Sequence, residues 1–167
     1  MMSPENEAAI QEMLAKQQIH ETVMRYCRGV DRLDADLLRT VYHPDGYDNH
    51  GGFRGKAEDF IAWVIPEMRK LYKNTNHFIC NELVEVSGDT AYGEAYFVAY
   101  HRFDRDGKEY DMVFGGRYID RFERRDGAWK IIKRNVLHDW NRIDPVTERY
   151  EVPINSHRSR EDLCYRR

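Results

Sequence analysis

The chain has 167 residues, 41% of them hydrophobic, with 26 basic and 29 acidic side chains and a net charge of −3. That length suits one domain, which buries roughly two thirds of the surface its unfolded chain exposes, and the balanced charge argues against a disordered chain or an electrostatic nucleic-acid surface. Cys27, Cys80 and Cys164 are odd in number, far apart and without a CxxC, which argues against a disulfide framework or zinc cluster and predicts reduced thiols in a cytoplasm. The opening MMSPENEAAIQEML lacks the basic start and apolar block of a secretory leader. No later stretch approaches the roughly 18 unbroken apolar residues of a membrane span, so no membrane partner is expected.

In chain order, Glu5 to Val30 is free of proline, and Ile19, Val23, Cys27 and Val30 recur at helical spacing, which predicts an amphipathic helix starting near Ser3-Pro4. DADLLRTVY offers Asp34 as the cap of a short second helix that turns Leu37, Leu38 and Val41 inward, and HPDGYDNHGGFRG then reads as a loop. A third helix is predicted from Lys56 to Tyr72, with Phe60, Trp63, Val64, Met68 and Leu71 on one side and a kink at Pro66. After Asn74 the period changes from helical to alternating. Ser87-Gly88-Asp89, Asp106-Gly107 and Asp126-Gly127 punctuate a meander of four strands, at about 76–86, 90–103, 109–124 and 128–140. Helices followed by strands predict an α+β domain with helices on one face of an antiparallel sheet. Residues 141 to 167 read as a polar tail without periodicity.

Alternation sorts the second strand into a bulky face, Tyr92, Glu94, Tyr96, Val98 and Tyr100, and a small one, Ala91, Gly93, Ala95, Phe97 and Ala99. The small face leaves room over the sheet for a packed helix, the plainer reading, or for a ligand. Asp31 follows an otherwise apolar helix face, and Gly29 lets the helix end so that the acid can turn inward. It is either a solvated carboxylate or a buried acid bonded to a cation or an imidazole. His77, which opens the first long strand, is either structural or that partner. As a pair the two suit carbon acid chemistry. A carboxylate that accepts from one imidazole nitrogen fixes the tautomer and stabilises the imidazolium formed when the other nitrogen takes a proton. No metal or organic cofactor is needed for that.

In the last strand, Ile132, Arg134, Val136 and His138 share a face. There Arg134 and His138 bind a carbonyl or anionic oxygen, or Arg134 is a surface residue paired with an acid. His43, Asp45, Asp48 and His50 are metal-ligand types, but their spacing matches no signature and Pro44 and the glycines mark a loop, so no metal site is predicted. His20 and His157 are expected to be exposed.

GVD at 29–31, the strand-opening histidine in NHFICN and especially GGRYIDRFERRDGAWKIIKRN at 115–135 give the chain a resemblance, over residues 8 to 142, to the nuclear transport factor two-like superfamily. The similarity is to its SnoaL-like branch, which includes scytalone dehydratase, hexachlorocyclohexane dehydrochlorinase and bile-acid dehydratase. The resemblance implies a cone-shaped α+β barrel, residues 1–143, whose three N-terminal helices pack in a curved antiparallel sheet around a pocket. It implies a catalytic dyad, His77 as base with Asp31 orienting it, and makes Arg134 a cavity arginine. Tyr26, five residues before Asp31, stands where the dehydrochlorinase has a chloride-binding lysine and the bile-acid dehydratase a tyrosine, which favours loss of water. His138 falls near that dehydratase's arginine, and His101 is expected at the cavity rim.

The expectation is therefore a cofactor-independent lyase, a dehydratase acting on a small hydrophobic cyclic compound. His77, Asp31, Tyr26 and Arg134 would be catalytic, and His138, Tyr96, His101 and Trp63 would contact the substrate. An isomerase, or a non-catalytic binding or assembly protein on the same cone, is the alternative. A homo-oligomer, trimer or dimer, is expected, with the tail at 144–167 covering the pocket or reaching a neighbouring subunit.

Overall fold

A computed structural model describes residues 2–166, and helix α1 occupies Pro4–Asp31. The Ser3 hydroxyl accepts the Asn6 backbone N–H at 3.3 Å, Pro4 sits in the first turn where its missing N–H costs nothing, and Glu5 and Glu7 lie at the positive end of the helix dipole. Ile19, Val23, Cys27 and Val30 are buried as the spacing predicts, with Tyr26 beside them. Helix α2 (Ala35–Val41) starts where the Asp34 carboxylate accepts the Leu37 N–H at 3.0 Å. Helix α3 (Ala57–Leu71) runs on through Pro66, which removes one ladder bond without dividing the helix.

The segment expected to be a loop is instead a polar hairpin, β1 (Tyr42–Asn49) and β2 (Arg54–Lys56). Turn-forming residues are tolerated there because Pro44 and Asp45 fall in an irregularity between the paired residues Tyr42 and Tyr47. Gly46 fits the close approach, since a Cβ there would come within 2.9 Å of the His43 carbonyl oxygen. β1 pairs in parallel with β6, so the sheet is mixed and not wholly antiparallel.

β3 (Asn74–Ser87), β4 (Thr90–Arg105), β5 (Lys108–Arg125) and β6 (Ala128–Pro145) form the meander, and the full order is β2-β1-β6-β5-β4-β3. Asp106-Gly107 and Asp126-Gly127 turn with all four residues at positive φ, the left-handed pair that a two-residue hairpin of twisted strands requires. The sheet curves around the helices without closing. Its inner face contributes Ala91, Ala95, Phe97, Tyr118, Phe122, Trp129 and Ile131 to a core shared with α1 and α3.

Two β-bulges re-aim β6. Ile131 pairs with Phe122 and Lys133 with Arg121, leaving Ile132 as an extra residue, and Asp139 is extra between His138 and Trp140. Ile132 therefore does not share a face with Arg134, contrary to strict alternation. Ile131 turns in before the bulge, and Arg134 and Val136 after it.

The tail continues past β6 and ends in a 3-10 turn, Leu163–Tyr165. Arg158 is its anchor, donating to the backbone carbonyls of Asp31, Met68 and Tyr72 at the C-terminal ends of α1 and α3, where the helix dipoles favour a cation. Arg160 pairs with Asp34 and Asp36 at 3.2 and 3.0 Å. Met1 and Arg167, at the outer ends of the two expected regions, lie outside the described residues. All three cysteines are unpaired, and no described helix is long and apolar enough to cross a membrane.

Candidate active site

Asp31 ends α1 facing the first residues of β3. Its Oδ1 accepts from His77 Nδ1 at 2.7 Å, and its Oδ2 accepts the His77 backbone N–H at 3.0 Å. One carboxylate thus fixes both the strand end and the ring. The two side chains are only 10% and 6% exposed, so little water competes for the pair. Burial works to raise the Asp31 pKa, but the hydrogen bonds and charge of His77, with Thr75 adding to them, hold it below the ordinary carboxyl value. Asp31 is then an ionised acceptor, Nδ1 must carry its proton, and Nε2 is left as the basic nitrogen.

His77 lines a cavity of about 340 Å³, a size suited to a small molecule. Val30, Val64, Met68, Phe97, Ala99 and Phe114 make most of that surface apolar. The small face of β4 serves both readings, since Ala91 and Ala95 pack in the core while Phe97 and Ala99 line the cavity. His101, next on that face, is on the lining, with its ring 5.5 Å from His77 and 5.6 Å from Phe114. Burial, reinforced by His77, pushes the His101 pKa down to about 3, so its imidazole is neutral. Its Nδ1 is buried without a partner. His138 also reaches the cavity, and burial and the neighbouring His50 lower its pKa, with Asp139 opposing them.

Tyr26 lines the floor. Burial holds its phenol pKa well above 10, against the pull of the Arg134 charge, so the hydroxyl stays protonated. Trp63 stacks on Phe53 at 5.4 Å and contributes to the lining while 38% exposed, which places it at the opening.

Two expected residues are not on the lining. Arg134 is fully buried behind it, its guanidinium 4.1 Å from the ring centres of both Tyr26 and Tyr118 and bonded through two nitrogens to Asp120 at 2.8 and 2.5 Å. Burial alone would lower its pKa, but Asp120 reverses that and keeps the cation charged. Its influence on the cavity passes through Tyr26 and Tyr118, both of which are on the lining. Tyr96 lies on the opposite face of β4, 43% exposed and beneath Arg117, because the inward positions of that strand are those with small side chains. Among the described residues, no tail side chain is on the lining, although Arg158 bonds the backbone of Met68 and Tyr72, whose side chains are.

The polar hairpin gives three of the four metal-ligand types other partners, while Asp48 and His50 stay in contact at 3.3 Å. His43 Nε2 bonds the Glu123 carbonyl at 2.9 Å, Asp45 pairs with Arg125 at 2.7 Å, and Asp48 accepts from the Tyr42 hydroxyl at 2.6 Å. His50 alone of these reaches the cavity. Sequence reasoning missed His50 and Phe114 as cavity residues. The signal for His50 was Asp48-x-His50, since His50 directly follows β1 and its imidazole stays beside Asp48.

A family model described as a SnoaL-like domain matches residues 11–135. The comparison with curated protein sequences returned no match. Among solved structures, the chain is similar to a protein from Novosphingobium aromaticivorans described as NTF2-like with a cystatin-like fold, at 27% identity and a TM-score of 0.66, covering 83% of this chain and 92% of that one. A putative scytalone dehydratase from the same organism gives 18% identity and a TM-score of 0.71, covering 87% and 93%. A hexachlorocyclohexane dehydrochlorinase from Novosphingobium barchaimii gives 20% and 0.71, covering 87% and 99%. With three helices set in a curved, unclosed sheet around a cavity, and with the model matching most of its length, this chain belongs to the SnoaL-like domain family and has the NTF2-like cone fold.

Proposed function

We propose that the protein is a cofactor-independent lyase, a dehydratase that removes a proton from the carbon beside a carbonyl in a small hydrophobic cyclic molecule. The observation that carries this reading is the 2.7 Å contact between Asp31 and His77 on the wall of an apolar cavity that side chains leave unfilled. With Nδ1–H held by the carboxylate, Nε2 takes the carbon-bound proton and Asp31 stabilises the imidazolium. The electron pair moves onto the carbonyl oxygen. Tyr26, a neutral phenol, donates a hydrogen bond to that oxygen, and Arg134 behind its ring favours the negative charge collecting there. Re-formation of the carbonyl breaks the C–O bond on the neighbouring carbon, and the leaving oxygen takes a proton from an acid on the cavity lining to depart as water.

The similarity of fold to dehydratase and dehydrochlorinase structures is consistent with this chemistry without fixing it. A purely binding or assembly role fits less well, because such a role gives no reason for a dyad histidine on the lining of an open cavity. The test uses 3-hydroxy-1-tetralone in deuterated water, with exchange at C2 followed by NMR and 1-naphthol formation followed by absorbance. The unaltered protein is expected to catalyse both and His77→Gln neither, at unchanged melting temperature. Exchange without naphthol would identify an isomerase-type proton transfer. Equal rates in the two proteins would reject the dyad.

A further inference from the structure

A second carboxylate–imidazole pair faces the same cavity from the far side of the sheet. His77 lies on β3 and Asp48 on β1, with β4, β5 and β6 between them. At about 4.8 Å per strand, four steps separate the two pairs by about 19 Å along the sheet. Curvature folds both onto one cavity. Between them run the rings of His101, Phe114 and His138; successive centroids from His77 to His138 are 5.5, 5.6 and 5.3 Å apart.

The second pair is less tightly joined than the first. Asp48 is fully buried, and one of its oxygens accepts from Tyr42. The other oxygen, Oδ1, stands 3.3 Å from His50 Nδ1, in contact but outside hydrogen-bond alignment, and both atoms are buried with no other partner. A buried carboxylate oxygen without a hydrogen bond is uncommon and calls for an explanation. A small turn of the imidazole would join these two atoms, and catalytic hydrogen bonds often close only when substrate engages the opposite nitrogen. The ring stacks on Phe60 at 5.0 Å. The hairpin tip holds its backbone through the Phe53 carbonyl at 2.8 Å, and Gly51 supplies the positive φ of the turn.

We propose that His50, backed by Asp48, is the general acid for the leaving group, and that the substrate is a β-hydroxy carbonyl compound spanning the cavity between His77 and His50. The proposal rests on the lyase reading above. In the balanced step, the C–H bond breaks and its proton goes to His77 Nε2. The electron pair becomes the new C=C bond, and the C–O bond breaks with its electrons on oxygen. That oxygen takes the proton of the His50 imidazolium and leaves as water. His77 ends protonated and His50 neutral, and exchange with solvent resets both. Asp48 is a positioning residue that acts through His50.

The test compares 3-hydroxy-1-tetralone with 3-acetoxy-1-tetralone, since acetate leaves without needing a proton. For His50→Gln the ratio of water loss to C2 exchange is expected to fall about 100-fold, the typical value of acid assistance. The preference for acetoxy over hydroxy substrate in kcat is expected to rise by a similar factor, while KM changes little. Asp48→Asn should move both ratios in the same direction. Unchanged ratios, or exchange and elimination lost together, would overturn the role of His50. Failure of the unaltered protein to exchange C2 would instead remove the carbon-acid reading, and this proposal with it.

Discussion

Asp31→Asn tests the dyad most sharply, because the carboxylate accepts two hydrogen bonds from one residue. An amide has one accepting oxygen and one donating nitrogen, so it cannot replace both. The backbone N–H of His77 has a single proton and must keep the oxygen at 3.0 Å. The amide nitrogen then faces His77 Nδ1 across 2.7 Å and donates to it, which forces the ring proton onto Nε2. That is the nitrogen the reaction needs as a base, so the substitution both removes the counter-charge and blocks the lone pair. A loss of wrong-tautomer size, about 10³- to 10⁴-fold in kcat, is expected. Stability should change less, by about 1–3 kcal/mol for a charge-assisted bond exchanged for a neutral one. The assay is C2 exchange of 3-hydroxy-1-tetralone at saturation, with long-range nitrogen NMR of the imidazole reporting its tautomer. Exchange within about tenfold of the unaltered protein, or a His77 Nδ1 that stays protonated in the variant, would refute the role of Asp31.

Two other outcomes follow from the same geometry. Arg134→Met should destabilise the fold by about 3–5 kcal/mol, because Asp120 would be left fully enclosed without its partner, whereas Arg134→Met with Asp120→Asn should recover at least half of that in urea unfolding; additive losses would show that the pair does not couple. The outer face of the sheet exposes Phe78, Tyr92, Tyr100 and Trp140, so light scattering should find dimers or trimers that Tyr100→Glu shifts toward monomer, and a monomeric unaltered protein would refute the association.

The helices and the four long strands were readable because each carries a repeating local signal. Apolar residues every three or four positions mark α1 and α3, and Asp-Gly pairs mark the turns. Asp31 and His77 stood out for a related reason, as polar residues closing or opening apolar patterns. The hairpin at β1 and β2 carries no such signal, because its inward positions include Gly46 and Asp48, whose burial depends on partners elsewhere in the chain. Missing it hid the parallel pairing with β6, and with it the route by which His50 reaches the cavity.

Arg134 shows why alternation alone misjudges a strand that bends. Without the extra residue at Ile132, the inward set that begins at Trp129 and Ile131 would continue through Lys133 and Asn135, and Arg134 would face outward. The bulge shifts the parity by one, so a guanidinium takes an interior position where an apolar side chain would otherwise sit. An isolated cation there would be prohibitively costly, by several kcal/mol after relaxation. Asp120 on the neighbouring strand and the faces of Tyr26, from α1, and Tyr118 offset that cost together, and only the tertiary fold brings them to Arg134. One face of the Tyr26 ring meets this charge while the residue also borders the cavity, so the bulge in β6, rather than any contact of Arg134 with a ligand, sets the electrostatics of the floor.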